Sequence, residues 1–457
     1  MEQQLLSVGI DIGTSTTQLI FSKLTVKNTA TAFNMPKVDI TQKEIVYKSK
    51  VYFTPLIDDK TINCEEIKKI IENEYKTANV VKKSIDTGAV IITGETARKE
   101  NARDVLQTLS GFAGDFVVAT AGPDLESIIS GKGAGAAEYS KEHKKSVLNI
   151  DIGGGTSNFA LFKNGEVSDT GCMNVGGRLI KLDTHGRITY VSPVIAGFYK
   201  TLRIGEVLSQ QQAQEIADVM TKALMQGANI LTRDDLFNHF LTNKGIDKNA
   251  HIDCISFSGG VSDIVYDGVY DNPFEFGDIG IFLGESIKNS MLCKKYKLVK
   301  SKETIRATVV GAGSHTTEIS GSTITYSNNV LPLKNLPVLK LTEDDEFDLK
   351  SAVNKKLNWY KGENVAISFK MTVPATFLNI QKYADEILES AIGQNPLVVI
   401  TERDVAKVLG QTLQCKTKTP VVCIDSVKLS NGDYVDIGKP VANGMAVPVV
   451  IKTLVFS

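Results

Sequence analysis

One pattern occurs twice in this chain. Residues 6–21 read Leu-Ser-Val-Gly-Ile-Asp-Ile-Gly-Thr-Ser-Thr-Thr-Gln-Leu-Ile-Phe, and residues 147–162 read Val-Leu-Asn-Ile-Asp-Ile-Gly-Gly-Gly-Thr-Ser-Asn-Phe-Ala-Leu-Phe. Each copy reads as an apolar strand, an Asp-Ile-Gly tip, a turn of glycine and hydroxylic residues, and a second apolar strand. Two hairpins this far apart belong to two domains. The length of 457 residues agrees, since it exceeds what one compact core holds.

The hairpin has a specific chemistry. Its first strand ends in Asp11 or Asp151. Glycine then lets the backbone turn tightly and approach a ligand with no Cβ in the way. Successive N–H groups in such a turn cradle an anion, and Ser or Thr hydroxyls add neutral donors. The expected cradles are Gly13, Thr14, Ser15 and Thr16 in one copy, and Gly153, Gly154, Gly155 and Thr156 in the other. An aspartate beside phosphates is repelled unless a cation sits between them. Asp11 and Asp151 therefore imply Mg²⁺, held largely through water. The tripeptide alone proves little, because Asp-Ile-Gly also occurs at 278–280 and 436–438. Those copies lack the hydroxylic turn and read as a loop or helix start.

Elsewhere, strands and helices alternate, which indicates an α/β architecture. Strands are expected at residues 89–93, 116–119 and 251–257, and helices at 95–109 and 210–225. The second helix carries a capping box, Ser209 with Gln212. The strand at 251–257 runs into Ser258, Gly259, Gly260 and Val261, where a flat base and ribose could lie against bare backbone. Residues 309–313 are small and suit close helix packing. Residues 321–341, rich in Ser, Asn and Thr with Pro332 and Pro337, read as a linker. Beyond it a further α/β unit is expected. Its first helix covers 377–392, stopped by Gly393, and its second is capped by Thr401 with Asp404. The domains expected are 1–140, 141–322 and 323–457.

Composition excludes several classes. Lys and Arg total 51 against 52 Asp and Glu, so no basic footprint marks nucleic acid or an anionic membrane as a partner. No window approaches ~18 consecutive apolar residues, and no signal peptide is expected. The chain is expected in the cytosol, or inside a compartment filled from the cytosol. Its six cysteines show no C-x-x-C and read as reduced, mostly buried thiols. The five histidines show no metal-ligand spacing, and His185 is expected in a hairpin turn.

These motifs, in this order, resemble the sugar kinase, Hsp70 and actin superfamily. Asp11 to Thr17 is similar to its first phosphate motif, Asp151 to Ser157 to its second and Ser258 to Ser262 to its adenosine motif. The resemblance implies the actin-like ATPase fold, with two ribonuclease-H-like domains closing on Mg·ATP. Gly131 to Ala137 falls where its first connecting helix is expected. A closer likeness rests on residues 93–97, 121–127 and 432–456. They resemble the ethanolamine ammonia-lyase reactivating factors, and this resemblance includes the C-terminal unit.

That family implies an ATP-driven, chaperone-like factor. It opens a lyase whose adenosylcobalamin is damaged, releases the inactive cobalamin and lets intact coenzyme enter. The cobalamin belongs to the partner enzyme, ethanolamine ammonia-lyase. Location in a bacterial microcompartment is implied by the family only, and a homodimer is among the states to test. One departure stands out. Hsp70-like members carry Glu before the Pro that opens the connecting segment, whereas Gly122 precedes Pro123 here. Slow ATP hydrolysis is expected, with Asp151 the polar partner of the attacking water and Asp11 the magnesium anchor. A small-molecule kinase of the same fold and an actin-like scaffold remain alternatives.

Overall fold

The computed structural model describes residues 2–28, 38–58, 61–93, 101–110, 112, 119–120, 123–315, 317–320, 323–360, 362–429 and 433–453. β1 (Glu2–Ile12) and β2 (Thr16–Asn28) pair antiparallel from Glu2 opposite Lys27 to Ile12 opposite Thr17. β3 (Val38–Lys48) joins β2 antiparallel. β4 (Thr87–Ile92) joins the other side of β1 in parallel, and β5 (Ala119–Thr120) follows it. The main order is β3-β2-β1-β4-β5. β4 is buried at every position, as a parallel strand covered on both faces must be. One cover is α1 (Cys64–Thr77), which buries Ile67, Ile71 and Tyr75 and is capped by Asn63. α2 (Ala102–Ser110) adds Val105 and Leu109 to the same core. The parts of the expected elements at 95–100 and 116–118 lie outside the described residues.

A second sheet repeats this order. It runs β8 (Glu166–Met173), β7 (Ser157–Lys163), β6 (Ser146–Ile152), β9 (Cys254–Ser258) and β10 (Lys297–Leu298). β6, β7 and β8 are antiparallel neighbours, while β9 and β10 are parallel. Strand order and direction thus match between the sheets, as the repeated hairpin requires. α5 (Gln210–Gly227) has the expected capping box and buries Ala213, Ile216, Ala217, Met220 and Leu224. Truncating Ile216 to Ala in this close-packed stripe would cost about 2–5 kcal/mol.

Two crossing helices tie the sheets together. α3 (Pro123–Gly133) follows the first sheet in sequence but packs on the second, where a Cβ at Gly131 would meet the Phe162 ring at 2.4 Å. α7 (Ala307–His315) follows the second sheet but packs on the first, where a Cβ at Gly9 would meet the Val309 carbonyl oxygen at 2.5 Å. The two helices touch at glycines. A Cβ at Gly133 would lie 1.9 Å from the Ala307 oxygen, and one at Gly311 would lie 2.0 Å from the Ile129 oxygen. Between them in sequence lie α4 (Ala136–His143) and α6 (Gly280–Asn289).

The C-terminal unit is an eight-stranded mixed sheet. Its strands are β11 (Thr317–Ile319), β12 (Thr325–Tyr326), β13 (Leu333–Lys340), β14 (Ala366–Phe369), β15 (Leu397–Thr401), β16 (Val421–Asp425), β17 (Asp433–Ile437) and β18 (Pro448–Thr453). β13 to β16 are parallel neighbours, and α8 (Leu349–Leu357), α9 (Phe377–Ser390) and α10 (Ala406–Lys416) share one apolar core with them. The unit rests on the first sheet. Leu5, Leu24 and Val26 pack with Val441 and Ala446, and the Ala442 N–H donates to Gln3 Oε1 at 2.7 Å.

Three expectations are corrected. The linker read at 321–341 holds two strands, β12 and β13, and β13 pairs on both sides. Its register shift and Asn335 at φ 53° absorb the turn-forming residues that suggested a linker, while 321–322 lie outside the described residues. Thr401 does not cap α10. Its hydroxyl donates to the Arg403 carbonyl, Asp404 accepts from Ser426, and the residue before the helix is Val405. Asp436 and Ile437 lie in strand β17, not in a loop or helix start. All six cysteines are free. Cys172, Cys254 and Cys423 are buried, Cys64 and Cys293 half-buried, and Cys415 exposed.

Candidate functional site

The two hairpin turns are built alike. Gly13 N–H donates to the Thr16 carbonyl at 2.9 Å, and Gly153 N–H to the Thr156 carbonyl at 3.0 Å. Asp11 pairs opposite Gln18, and Asp151 opposite Asn158. Burial follows one rhythm: the aspartates are buried, the four turn residues half-buried, and the next strand buried again.

The turns face each other. A Cβ on Gly154 would lie 2.4 Å from Ser15 Oγ, so the tips of the two hairpins touch. Beside them opens a cavity of about 500 Å³. Asp11, Asp151, Gly13 through Thr16, Gly153 through Thr156, and Gly259, Gly260 and Val261 all line it. Every expected site residue therefore meets in one cleft between the two sheets. The glycines do different work there. At Gly259, φ is +84° and a Cβ would meet the Ile152 carbonyl at 2.3 Å, so only glycine fits. At Gly153 and Gly260 a Cβ would meet nothing closer than 3.6 and 3.8 Å, so the missing side chains widen the cavity.

The aspartates are electrostatically unusual. Burial pushes Asp11 up to about 7; a hydrogen bond from Thr93 Oγ1 at 3.1 Å opposes this, and the nearby Asp151 adds to it. Burial pushes Asp151 up to about 6, opposed by a hydrogen bond from Ser258 Oγ at 2.5 Å. Ser258 in turn accepts from Asn149 Nδ2, and Ser256 Oγ donates to Asn149 Oδ1, each at 2.9 Å. In both, burial is the main cause of the shift.

The cleft wall is acidic. Asp11, Glu126, Asp151, Asp263, Glu275 and Asp278 line it against one cationic side chain among the described residues, Arg178. A polyphosphate entering alone would be repelled, so cations must accompany it. Among the described residues no group of three or more His, Cys, Asp or Glu side chains could hold a metal ion. Two carboxylates with water and phosphate oxygens suit Mg²⁺, which seldom uses an all-protein cage. Asp11 and Asp151 could hold such an ion.

From the sequence, Asp124 and Glu126 lie near the place of the missing Glu but their side-chain directions are open; the structure separates them, and it adds Arg178, Asp263, Glu275 and Asp278 to the cavity wall. Glu126 lies in the first turn of α3, is 9% exposed and lines the cavity. Asp124 instead accepts from Thr170 Oγ1 at 2.6 Å and Asn243 Nδ2 at 3.2 Å, and does not line the cavity. Gly122, with Ala121, lies outside the described residues. Asp278 does begin a helix start, as expected, but it also lines the cleft. The run Gly176-Gly177-Arg178 fastens the second turn. Gly177 N–H donates to the Gly153 carbonyl at 3.1 Å, and Arg178 N–H to the Gly154 carbonyl at 2.7 Å. A glycine pair after a strand was the same signal that had marked Gly259 and Gly260. His185 lies in the expected tight turn, with Asp183 Oδ1 accepting from its N–H.

Comparison with known proteins adds the following. A family model described as "Ethanolamine utilisation protein EutA" matches residues 3–457. The chain is 38% identical over 475 residues to a protein of Salmonella typhimurium named "Ethanolamine ammonia-lyase reactivase EutA", covering 99% of each. It is 38% identical over 474 residues to the Escherichia coli protein of the same name, again covering 99% of each. Among solved structures, a Ppx/GppA family member from Aquifex aeolicus is 13% identical with a TM-score of 0.42, covering 68% of this chain and 97% of that one. No helix among the described residues is long and apolar enough to cross a membrane.

Proposed function

The chain belongs to the ethanolamine utilisation protein EutA family, and from that membership we propose that it is an ATP-dependent reactivating factor for ethanolamine ammonia-lyase. Its role is to open a lyase blocked by damaged cobalamin so that intact adenosylcobalamin can bind. The observation that carries the ATP-dependent part is the meeting of two matching hairpin tips across one cavity.

In this reading the first lobe is built on 1–140, the second on 141–322 and the C-terminal unit on 323–457, with α3 and α7 each crossing to the other lobe's sheet and β11 completing the C-terminal sheet. N–H groups and hydroxyls of Gly13 to Thr16 and Gly153 to Thr156 cradle the phosphates. Gly259, Gly260 and Val261 receive the adenosine. Asp11 and Asp151 would hold a magnesium ion, which supplies the positive charge that this acidic wall demands. Water attacks the γ-phosphorus, the bond to the β–γ bridging oxygen breaks, and ADP and phosphate form. Asp151 is the polar partner of that water. Glu126, one turn into α3, takes the orienting place that Gly122 leaves vacant. Coupling requires that the lyase bind the two nucleotide states with different affinity. The crossing helices α3 and α7 give the lobes a shared pivot, and the C-terminal unit moves with the first lobe, on which it rests. Cytoplasmic residence, within a bacterial microcompartment where one forms, is part of the same proposal.

The test starts from lyase inactivated with cyanocobalamin. The protein, Mg·ATP and fresh adenosylcobalamin are then added. Recovery of deaminating activity that needs all three supports the reading. No recovery, with phosphorylation of a metabolite or ATP-dependent pelleting instead, replaces it with a kinase or a filament.

A further inference from the structure

Arg178 is the one cationic side chain among the described residues lining a cleft with six carboxylates. Its backbone is tied to the second turn through the Gly154 carbonyl, so it moves with that turn. Gly176 packs directly on the same turn, where a Cβ would lie 2.4 Å from the Gly154 oxygen. The guanidinium is held only weakly. Arg178 Nε stands 3.6 Å from Asp278 Oδ2, beyond hydrogen-bond reach, and is buried with no hydrogen-bond partner. A buried N–H without an acceptor is costly, so this group is poised for one.

On its other side, the guanidinium carbon lies 5.2 Å from the centre of the Phe53 ring. Phe53 belongs to the first sheet, where it pairs with Thr16 of the first turn. Arg178 is therefore anchored to one phosphate turn and touches a residue anchored to the other. Phe53 is 74% exposed and lines the cleft beside Arg178.

We propose that Arg178 is the phosphate-reading residue of the cleft: Asp278 restrains its guanidinium in the empty protein, a nucleotide phosphate takes it over, and its contact with Phe53 carries that change to the other lobe. A fork of N–H donors suits phosphate oxygens better than one carboxylate at 3.6 Å. The proposal rests on the nucleotide reading above and deepens it.

Calorimetric titration with Mg·ATP and Mg·ADP tests it, on the full chain and on Arg178→Ala, Asp278→Asn and the double variant. The side-chain oxygen left in Asp278→Asn would still accept the Gly280 N–H that Asp278 Oδ1 accepts at 2.8 Å. Arg178→Ala is expected to weaken both nucleotides at least tenfold. Asp278→Asn is expected to tighten ATP several-fold when Arg178 is present and to change it less than twofold when Arg178 is absent. An equal gain in both backgrounds would mean that Asp278 merely repels phosphate, and would overturn the restraint. Wild-type affinity in Arg178→Ala would overturn the assignment outright while leaving the nucleotide site standing. Absence of ATP binding by the wild-type chain would instead sink the underlying reading. Small-angle scattering supplies a second readout. Phe53→Ala should bind ATP within threefold of wild type yet lose the nucleotide-induced compaction; full compaction would remove Phe53 from the proposal.

Discussion

The two hairpins share turn, register and burial, yet their aspartates have different neighbours. Asp11 accepts from a lone threonine, Thr93, and feels the charge of Asp151. Asp151 sits at the end of a hydrogen-bonded chain, Ser256–Asn149–Ser258, which opposes the upward push of burial there. A duplicated frame thus fixes where two carboxylates stand, and the surrounding strands set what each can do. The hydrogen-bonded chain behind Asp151 suits the partner of a polarised water. At Asp11 the like charge of Asp151 adds to burial, which a divalent cation between the two would relieve.

The largest effect separates chemistry from binding. Glu126→Gln and Asp151→Asn should each cut ATP turnover by ~10²–10⁴, the range for removing a group that positions or accepts a proton in the transition state. ATP affinity in Glu126→Gln should stay within a few-fold of wild type. If Glu126→Gln hydrolyses ATP normally, the carboxylate that orients water lies elsewhere.

Next comes stability. The pKa of Asp11 in the folded chain, about 7, lies above its ordinary value of 3.8. The folded state then holds more protons than the unfolded one in between, so stability should fall as pH rises from 4 to 7. Asp11→Asn removes this loss. At pH 8 and without nucleotide or magnesium, the variant should exceed wild type by on the order of a few kcal/mol in urea unfolding. At pH 4 the two should converge. A variant less stable at pH 8 would show that Asp11 is paired in the empty protein.

Much of this was legible because it is local. A strand, a glycine-hydroxyl turn and a returning strand are specified by adjacent residues, and the repeat exposed both copies. What escaped was set by distant partners. Nothing near Phe53 in sequence places it against Arg178, and nothing near Glu126 says that it, rather than Asp124, lines the cleft. The strand β13 was hidden by Asn335 and Pro337, whose turn chemistry is overridden by pairing on both sides. Thr401 looked like a cap because its spacing to Asp404 was right, but the helix begins later, after Val405.

The pivot offers a smaller effect that treats both lobes alike. In Gly311→Ala the new Cβ would lie 2.0 Å from the Ile129 carbonyl oxygen, so α3 and α7 must separate. Overpacking of this kind costs about 1–3 kcal/mol. Thermal unfolding should drop by several degrees, and ATP should no longer bring the lobes together. An unchanged midpoint would mean that the crossing can loosen freely.

The finest test swaps the neighbours themselves. Ser258→Ala removes the hydrogen bond that holds the Asp151 pKa down, so this carboxylate should ionise at higher pH by about one unit, the worth of one hydrogen bond to a charged group. The acid limb of ATP turnover should move up by that amount, while magnesium affinity at pH 8 stays put. Thr93→Val makes the matching change at Asp11, and there the pH dependence of magnesium affinity should move instead. The assignments are tied together by this pair. If Ser258→Ala shifts the metal profile further than Thr93→Val does, and Thr93→Val shifts turnover, the hairpins have exchanged roles, and the surroundings of the two aspartates do not decide which of them is the main anchor of the ion.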